Sequence, residues 1–392
     1  MKPTLFRIHS WLGLSLGLLL AVMGATGALM AFEDEITARF APASVAPGVP
    51  GGPDLSPDAL AARLEAHAPG TRVDRIDWQA DRHLAHTVRM VPIATARGAS
   101  LMKGAAKDAK RRNGPVDRAS GAWRPEAGLV QFFATVRKVH RWLALPGNGD
   151  GPGRTITFLG ALALLGFAGT GLALRWPRTR RQWRKLLVLD LRARKGRLRA
   201  IHRTVGLWLL PLYLLSALTG LWWGSDLYRS ALRYALTGQS EKTQPTGKRA
   251  KEDTPAPWHA DAAWRAFTAR TGTRYTAARI TMSADGTQVR IEALPQGARH
   301  LKQRDRFTFD AADGALVDEA DYAAQPLGQR IVGAILEIHR GAFFGLPGRI
   351  ALFVSSLMLP FFAISGLLFW WQRRPARRPR RKPKTLPAGA RP

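Results

Sequence analysis

The sequence predicts a mainly α membrane protein: a four-span helix bundle built from two repeats, each with a small α+β module outside the membrane. Three observations lead there. The 392-residue chain holds four almost wholly apolar stretches. Its excess positive charge is concentrated in short segments beside them. Its two halves match in the spacing of histidine, glycine and tryptophan.

The apolar stretches are Trp11–Phe32, Ile156–Trp176, Val205–Gly224 and Ile350–Trp371. Each has about 20 residues, which at about 1.5 Å per residue crosses a hydrocarbon core of roughly 30 Å. The first is too long for a typical signal-peptide core and lacks a clear small-x-small cleavage site, so it reads as a retained span. Of the net charge of +31, residues 1–10, 175–203 and 372–392 supply +22, while the long segments 33–154 and 224–349 supply +5 and +4. Short basic segments mark the cytoplasmic side, so both termini are expected inside and both long loops outside. Basic blocks that abut spans meet anionic lipid, which argues against nucleic acid as the partner. The chain has no cysteine. Disulfides, cysteine-held iron–sulfur clusters, thiolate haem ligation and covalent c-type attachment are thereby excluded.

The halves read alike. Ile8-His9-Ser10 leads into a span ending Thr26-Gly27, and Ile201-His202-Arg203 into one ending Thr219-Gly220, with 18 residues from histidine to glycine in each. Later come Val139-His140-Arg141 and Ile338-His339-Arg340, then Leu145-Pro146-Gly147 and Leu346-Pro347-Gly348. The following spans end Thr170-Gly171 with Trp176, and Ser365-Gly366 with Trp371. Parallel repeats of this kind are common in membrane bundles.

Each outer segment predicts a linker, a helix and strands. The linkers are Ala41–Pro57 and Thr237–Pro257, and the helices Pro57–Ala68 and Trp258–Arg270. Strands are expected at Val73–Trp78, Thr87–Pro92, Arg279–Met282, Gln288–Ala293 and Arg306–Phe309, with turns at Ala284-Asp285-Gly286 and Ala312-Asp313-Gly314. The basic stretch Arg97–Asn113 reads as a mobile insertion.

On a straight helix 18 residues make five turns, so His9 shares a face with Gly27, and His202 with Gly220, about 27 Å apart along the axis. His140 and His339 arrive at the outer end on amphipathic stretches. Leu129, Phe132, Phe133, Val136 and Leu143 share the face of the first, and Val332, Ile335, Leu336 and Phe343 that of the second. The topology therefore pairs His140 with His339 outside and His9 with His202 inside. Such pairs suit bis-imidazole haem, with Gly27 and Gly220 making room at the outer site and Gly171 and Gly366 at the inner one. Ser/Thr-Gly pairs also permit close helix packing by themselves. Trp11, Trp142, Trp176, Trp222, Trp223, Trp370 and Trp371 read as interfacial anchors. His67, His83, His86, His259 and His300 have no matched repeat and read as surface or structural; zinc at His83 and His86 would rest on two residues only.

Ile8-His9-Ser10-Trp11-Leu12-Gly13, its partner Ile201-His202-Arg203-Thr204-Val205-Gly206-Leu207 and His339-Arg340-Gly341 resemble the PepSY-associated transmembrane helix family, over nearly the whole chain. Members include bacterial iron-regulated inner-membrane proteins and siderophore-linked reductases. The resemblance implies PepSY-like periplasmic modules and an inner-membrane protein with non-covalent haem b, two groups in all, on His9, His140, His202 and His339. It also implies electrons moved outward, onto ferric siderophore. Some members carry a cytoplasmic flavin-reductase domain; here the inner loop and tail are short and basic, so quinol or a separate flavoprotein is the expected donor. The implied layout is 1–33 inner N-terminus and first span, 34–154 outer module with interfacial helix, 155–176 second span and 177–203 inner loop. The second half follows as 204–224, 225–348, 349–371 and 372–392. Two other readings stand beside an oxidoreductase: a membrane-anchored binding or regulatory protein without haem, and a permease for an iron chelate. Against the permease, the spans show no intramembrane carboxylates or broken helices. Arg97, Arg111, Arg112, Lys302, Arg304 and Arg306 offer charge for anionic chelates, but also read as a solvated surface.

Overall fold

A computed structural model describes residues 2–44, 46, 53–93, 111–125, 127–177, 179, 182, 186–189, 196–239 and 258–373. Most of the stretch read as a mobile insertion, including Arg97, lies outside these residues. Three helices are long and apolar enough to cross a membrane: α1 (Lys2–Met30), α5 (Pro152–Arg175) and α12 (Gly345–Gln372). A fourth candidate is a bent pair, α6 (Arg197–Trp208) and α7 (Leu210–Gly224), which meet at 58° across Leu209. This corrects the straight third span. Pro211 is the physical cause. It has no N–H to give the Leu207 carbonyl, and its ring crowds the preceding turn. His202 therefore does not share one straight helical face with Gly220, and the spans do contain a break.

In the bundle α1 packs on α12 and α5, and α5 packs on α7. Leu20, Leu164, Tyr213 and Ala217 form its buried centre. Tyr213 donates its hydroxyl hydrogen to the Ser355 carbonyl at 2.9 Å, which satisfies the one polar group of that centre. α1 and α12 approach closely at Gly24. A Cβ there would lie 2.5 Å from the Ser356 carbonyl oxygen and 2.6 Å from Leu359 Cβ.

Outside the bundle the two predicted modules merge. The first supplies α3 (Pro57–Ala66), β1 (Thr71–Gln79), β2 (His86–Pro92) and β3 (Arg112–Val116). The second supplies α9 (Asp261–Thr271), β4 (Tyr275–Met282), β5 (Gln288–Pro295), β6 (Asp305–Asp310) and β7 (Leu316–Ala320). All strands join one antiparallel seven-stranded sheet, in the order β3-β2-β1-β4-β5-β6-β7. β1 and β4 fuse the halves, with Ile76 opposite Ile280 and Asp77 opposite Arg279. The sequence patterns are local to each half, and carry no trace of this cross-half pairing.

One sheet face alternates Val73, Ile76, Val88, Met90, Ile280, Val289, Ile291, Phe307 and Phe309 into the core, under α3 and α9. Those two helices cap each other. Asp261 Oδ1 accepts from the Asp58 N–H at 2.9 Å, and Asp58 Oδ1 accepts from the Ala260 N–H at 2.6 Å. Each carboxylate thus meets orphan amides at the start of the other helix. β3 begins inside the stretch read as an insertion, and β7 is a further strand without a hydrophobic alternation, since Leu316, Val317, Asp318 and Glu319 are all exposed at the sheet edge. His86 is fully buried, stacked on Trp78 with centroids 3.9 Å apart, and its Nδ1 accepts from the Gln79 N–H. It is a core residue of the sheet.

Two tests follow from this packing. Gly24→Ala should lower the unfolding midpoint in detergent, at a cost of about 1–3 kcal/mol for overpacking. Gly17→Ala should leave it unchanged, because its Cβ would meet Ala363 Cβ at an ordinary 3.7 Å. The buried Arg118 fork holds Asp54 at 2.8 and 2.6 Å and also donates to the Asp81 and Leu84 carbonyls. Burial alone would raise the Asp54 carboxyl, but the hydrogen bonds and charge of Arg118 outweigh it and hold the carboxyl below its usual range. The pair therefore adds stability above the unfolded carboxyl pKa, and that contribution is lost as pH falls through the depressed folded value. Arg118→Ala should destabilise the sheet by about 2–3 kcal/mol at neutral pH and flatten this acid dependence, as read by denaturant unfolding at several pH values.

Candidate functional site: two pairs of histidines

His140 and His339 are brought together at the end of the bundle next to the sheet, called the outer end for that reason alone, with the opposite end the inner one. His140 lies on α4 (Gly128–Trp142), which packs on α1 and α5. His339 closes the short helix α11 (Ile335–His339), which packs on α7 and follows α10 (Leu327–Gly333). The stretch expected as one amphipathic helix is broken here at Ala334 and again at Gly341. The two imidazole centroids are 6.4 Å apart and the rings are inclined at 59°. His9 and His202 line one cavity of about 610 Å³ at the opposite end of the bundle.

Every one of the four imidazoles is held the same way. His140 Nδ1 is 3.0 Å from Thr26 Oγ1 and 3.0 Å from the Met23 carbonyl. His339 Nδ1 is 2.8 Å from Thr219 Oγ1. At the other end His9 Nδ1 is 2.8 Å from Thr170 Oγ1, and His202 Nδ1 is 2.6 Å from Ser365 Oγ. Each hydroxyl already donates its own hydrogen to a carbonyl one turn back, at Val22, Leu215, Gly166 and Phe362 respectively. At His140 the Met23 carbonyl can only accept, so that ring carries its proton on Nδ1. With each hydroxyl turned to its own helix, the same tautomer in the other three rings leaves every Nε2 with a free lone pair. Burial, aided by the charge of Arg141, pushes the His140 imidazole down to about 4, against the opposing Met23 hydrogen bond. Burial and its neighbour His140 push His339 down to about 4 as well. Both rings are neutral donors at physiological pH.

Glycine follows each hydroxyl, and three of the four predicted glycines lie against an imidazole edge. A Cβ on Gly27 would be 3.3 Å from His140 Cε1, one on Gly171 3.7 Å from His9 Cε1, and one on Gly220 3.8 Å from His339 Cε1. Gly366 faces open space but lines the inner cavity with Gly171. The glycines thus make room first for the ligand ring. Thr26, Thr170, Thr219 and Ser365 were missed as site residues, although each stands one place before a predicted glycine. That recurrence was the available signal.

The Pro-Gly landmarks shift by one motif. Gly153, not Gly147, occupies the place matching Gly348. A Cβ on Gly153 would be 2.1 Å from the Trp142 carbonyl oxygen, two residues past His140, and one on Gly348 2.6 Å from the Gly341 carbonyl oxygen, two past His339. The arginines that follow, Arg154 and Arg349, donate to the Trp223 and Ala31 carbonyls at 2.8 and 2.7 Å. Two tryptophans expected as anchors face inward instead. Trp222 is buried beneath Arg233, and Trp223 meets His339 edge-on at 5.4 Å. Trp11, Trp176 and Trp371 are exposed on the bundle surface as expected.

A carboxylate clasp ties the outer pair to α1. α2 (Glu33–Phe40) opens with three acidic residues. Glu33 pairs with Arg137, one turn before His140; Asp34 pairs with Arg340, next to His339, at 3.1 Å; and Glu35 holds Arg349 at 2.7 Å. Farther out, His300 stacks on Phe343 at 5.1 Å and connects the sheet to this end. Of the basic residues offered for chelates, Arg304 is bound to the Leu301 and Glu292 carbonyls, and Arg112 stacks on Trp123.

Among the described residues no group of three or more His, Cys, Asp or Glu could hold a bare metal ion. Pairs of imidazoles with fixed tautomers are the donor set that the bundle provides. These features define a multi-pass membrane protein with two half-buried histidines at each end of a helix bundle. The chain belongs to the family described as the PepSY-associated TM region, whose model matches residues 6–373. No curated protein matches it.

The clasp has a testable acid limit. The Arg349 hydrogen bond, working against burial, holds the exposed Glu35 carboxyl below its usual range. The pair is complete above the unfolded carboxyl pKa and is lost as pH falls through the depressed value. Glu35→Gln at neutral pH should speed amide exchange of Ile36, whose N–H caps onto Phe32, by roughly two- to fivefold, the worth of one exposed ion pair.

Proposed function

We propose that this protein is an inner-membrane b-type haem protein that passes electrons across the membrane. The observation that carries the reading is the set of four histidines, two at each end of the bundle, each with Nδ1 hydrogen-bonded to a helix hydroxyl, which turns Nε2 away from it. His140 and His339, with ring centroids 6.4 Å apart, would be the residues to hold the outer haem, since two imidazoles bonded through nitrogen to one metal would stand roughly that far apart. The inner pair lines a cavity within the usual size range of small-molecule sites, walled by glycines where a flat ring can lie. A haem held by two imidazoles has no open position and supplies one-electron transfer.

The residues' part is ligation, orientation and exclusion of water. The hydroxyls fix the tautomer and rotate each ring toward its pair. Apolar spans around them keep the sites dry. In this reading the bent pair counts as the third of four spans, the halves are duplicates, the basic segments lie inside with both termini, and the fused sheet lies in the periplasm. Quinol or a separate flavoprotein is the donor, and ferric siderophore or other ferric iron the acceptor. Hard oxygen donors hold ferric iron more tightly than ferrous, so an electron delivered outside would loosen the chelate.

A visible spectrum of the detergent-purified protein, with and without dithionite, tests the reading. Expected is the sharpened reduced α-band of bis-imidazole haem, partly lost in His140→Ala and His339→Ala and, as a separate component, in His9→Ala and His202→Ala. Thr219→Val should weaken haem affinity at the outer site by roughly ten- to a hundredfold, with Thr219→Ser restoring it. A folded protein that stays colourless after addition of haem would sink the proposal and favour a membrane-anchored binding module.

A further inference from the structure

The two ends of the bundle differ in how their arginines are balanced. At the outer end Arg137, Arg340, Arg349 and Arg154 face Glu33, Asp34, Glu35 and Asp226. At the inner end Arg7, Arg175, Arg199, Arg203 and Arg373 all line the cavity that holds His9 and His202, and no carboxylate lines it. Among the described residues none of these five has an acidic partner. Arg175 is half-buried, with its Nε sealed from solvent and without a hydrogen-bond partner. Arg373 is held over Phe6 at 4.2 Å and Arg199 over Phe369 at 5.3 Å, so aromatic faces fix two guanidinium groups at the cavity mouth.

A preference for basic residues on the cytoplasmic side accounts for arginines along the membrane face. It does not account for five of them converging on one cavity. Like charges gathered there repel, and an unpaired guanidinium donor facing a low-dielectric wall lacks its hydrogen bond. Anionic oxygens relieve both, and the planar arginine fork fits carboxylate or phosphate.

We propose that these arginines form an anion cradle for the two propionate carboxylates of the porphyrin, at the inner site only. This rests on the haem reading above. The cradle orients the porphyrin with its carboxylates toward the basic end. Reduction of ferric haem removes one positive charge, so a field of guanidinium groups favours the ferrous form and raises the inner potential above the value the same site would have without them.

The test uses the full-length protein, loaded either with haem b or with its dimethyl ester, which lacks both propionate charges. Wild type should hold the ester at the inner site at least tenfold more weakly than haem, by titration of the component absent from His9→Ala. In the combined Arg199→Gln, Arg203→Gln and Arg373→Gln variant, the inner midpoint should fall by at least a tenfold change in the redox equilibrium, about 59 mV for one electron. The outer component should keep its midpoint and so report an intact fold. Equal retention of haem and ester at the inner site, or an inner midpoint unmoved in the variant, would overturn the cradle while leaving two haem components in place. An inner midpoint that follows anionic lipid in nanodiscs, with ester retained like haem, would assign the arginines to lipid phosphate and overturn it too. Absence of any haem band would defeat the underlying reading, and is told apart by that absence.

Discussion

An imidazole buried among membrane helices must place its N–H somewhere. The rest of this structure depends on how that requirement is met. In a span, the hydroxyl of Ser or Thr donates back to its own helix and keeps an accepting lone pair directed outward. At Thr26, Thr170, Thr219 and Ser365 the hydroxyl meets a histidine Nδ1 from another helix, within reach for that lone pair to take its N–H. One contact thereby does three things. It satisfies a buried donor, fixes the tautomer, and locks the crossing of two helices at a set height. The glycine that follows lets the ring approach its helix. The contact links α4 to α1 and α11 to α7 at the outer end, and α1 to α5 and α6 to α12 at the inner end, so the four together tie every span to another helix.

The outer domain serves the same geometry from a distance. Its two halves lack a joint until β1 pairs with β4, and the reciprocal bonds between Asp58 and Asp261 bring α3 and α9 together over that joint. With the central strands common to both halves, the segments that lead to His140 and His339 start from one rigid body. The acidic first turn of α2 then ties both histidine-bearing segments to the end of α1. Individually these ion pairs are exposed and weak. Their value is in register: three neighbouring carboxylates reach three different elements, so a shift of any one element breaks a contact.

The sequence made much of the bundle legible because membrane spans and matched offsets are periodic signals. His9, His140, His202 and His339 stood out by their matched spacing, and the charge of the segments beside the spans assigned them to two ends. Three departures had non-local or single-residue causes. The bend at Leu209 comes from Pro211, which hides within an apolar run that hydropathy averages over. The fused sheet depends on an edge pairing between strands some 200 positions apart, Ile76 with Ile280, which local alternation does not encode. β7 escaped because an exposed edge strand has no buried face to show as a pattern. The role of the hydroxyls was visible as a repeated Ser/Thr-Gly pair, but close packing explains such pairs equally well. Only the distance to Nδ1 separates the two explanations.

The bend at Leu209 also bears on why the inner end differs from the outer. On α6, Arg199, His202, Arg203 and Gly206 recur at helical spacing and all line the cavity, so the tilted segment presents imidazole, charge and open backbone on one face. Were α6 and α7 one straight helix, the face that carries Gly220 to His339 would not be free to turn independently of the face that carries His202 to Ser365. The break separates the two requirements. α7 orients its hydroxyl toward the outer histidine, while α6 is aimed by its own contact with α12. In the first half no break is needed, because His9 and Thr26 sit on one continuous α1 and reach Thr170 and His140 from faces that a straight helix already supplies. Two segments with similar motifs thus solve the same problem by different backbones, and the proline marks the one that carries Arg199 and Arg203.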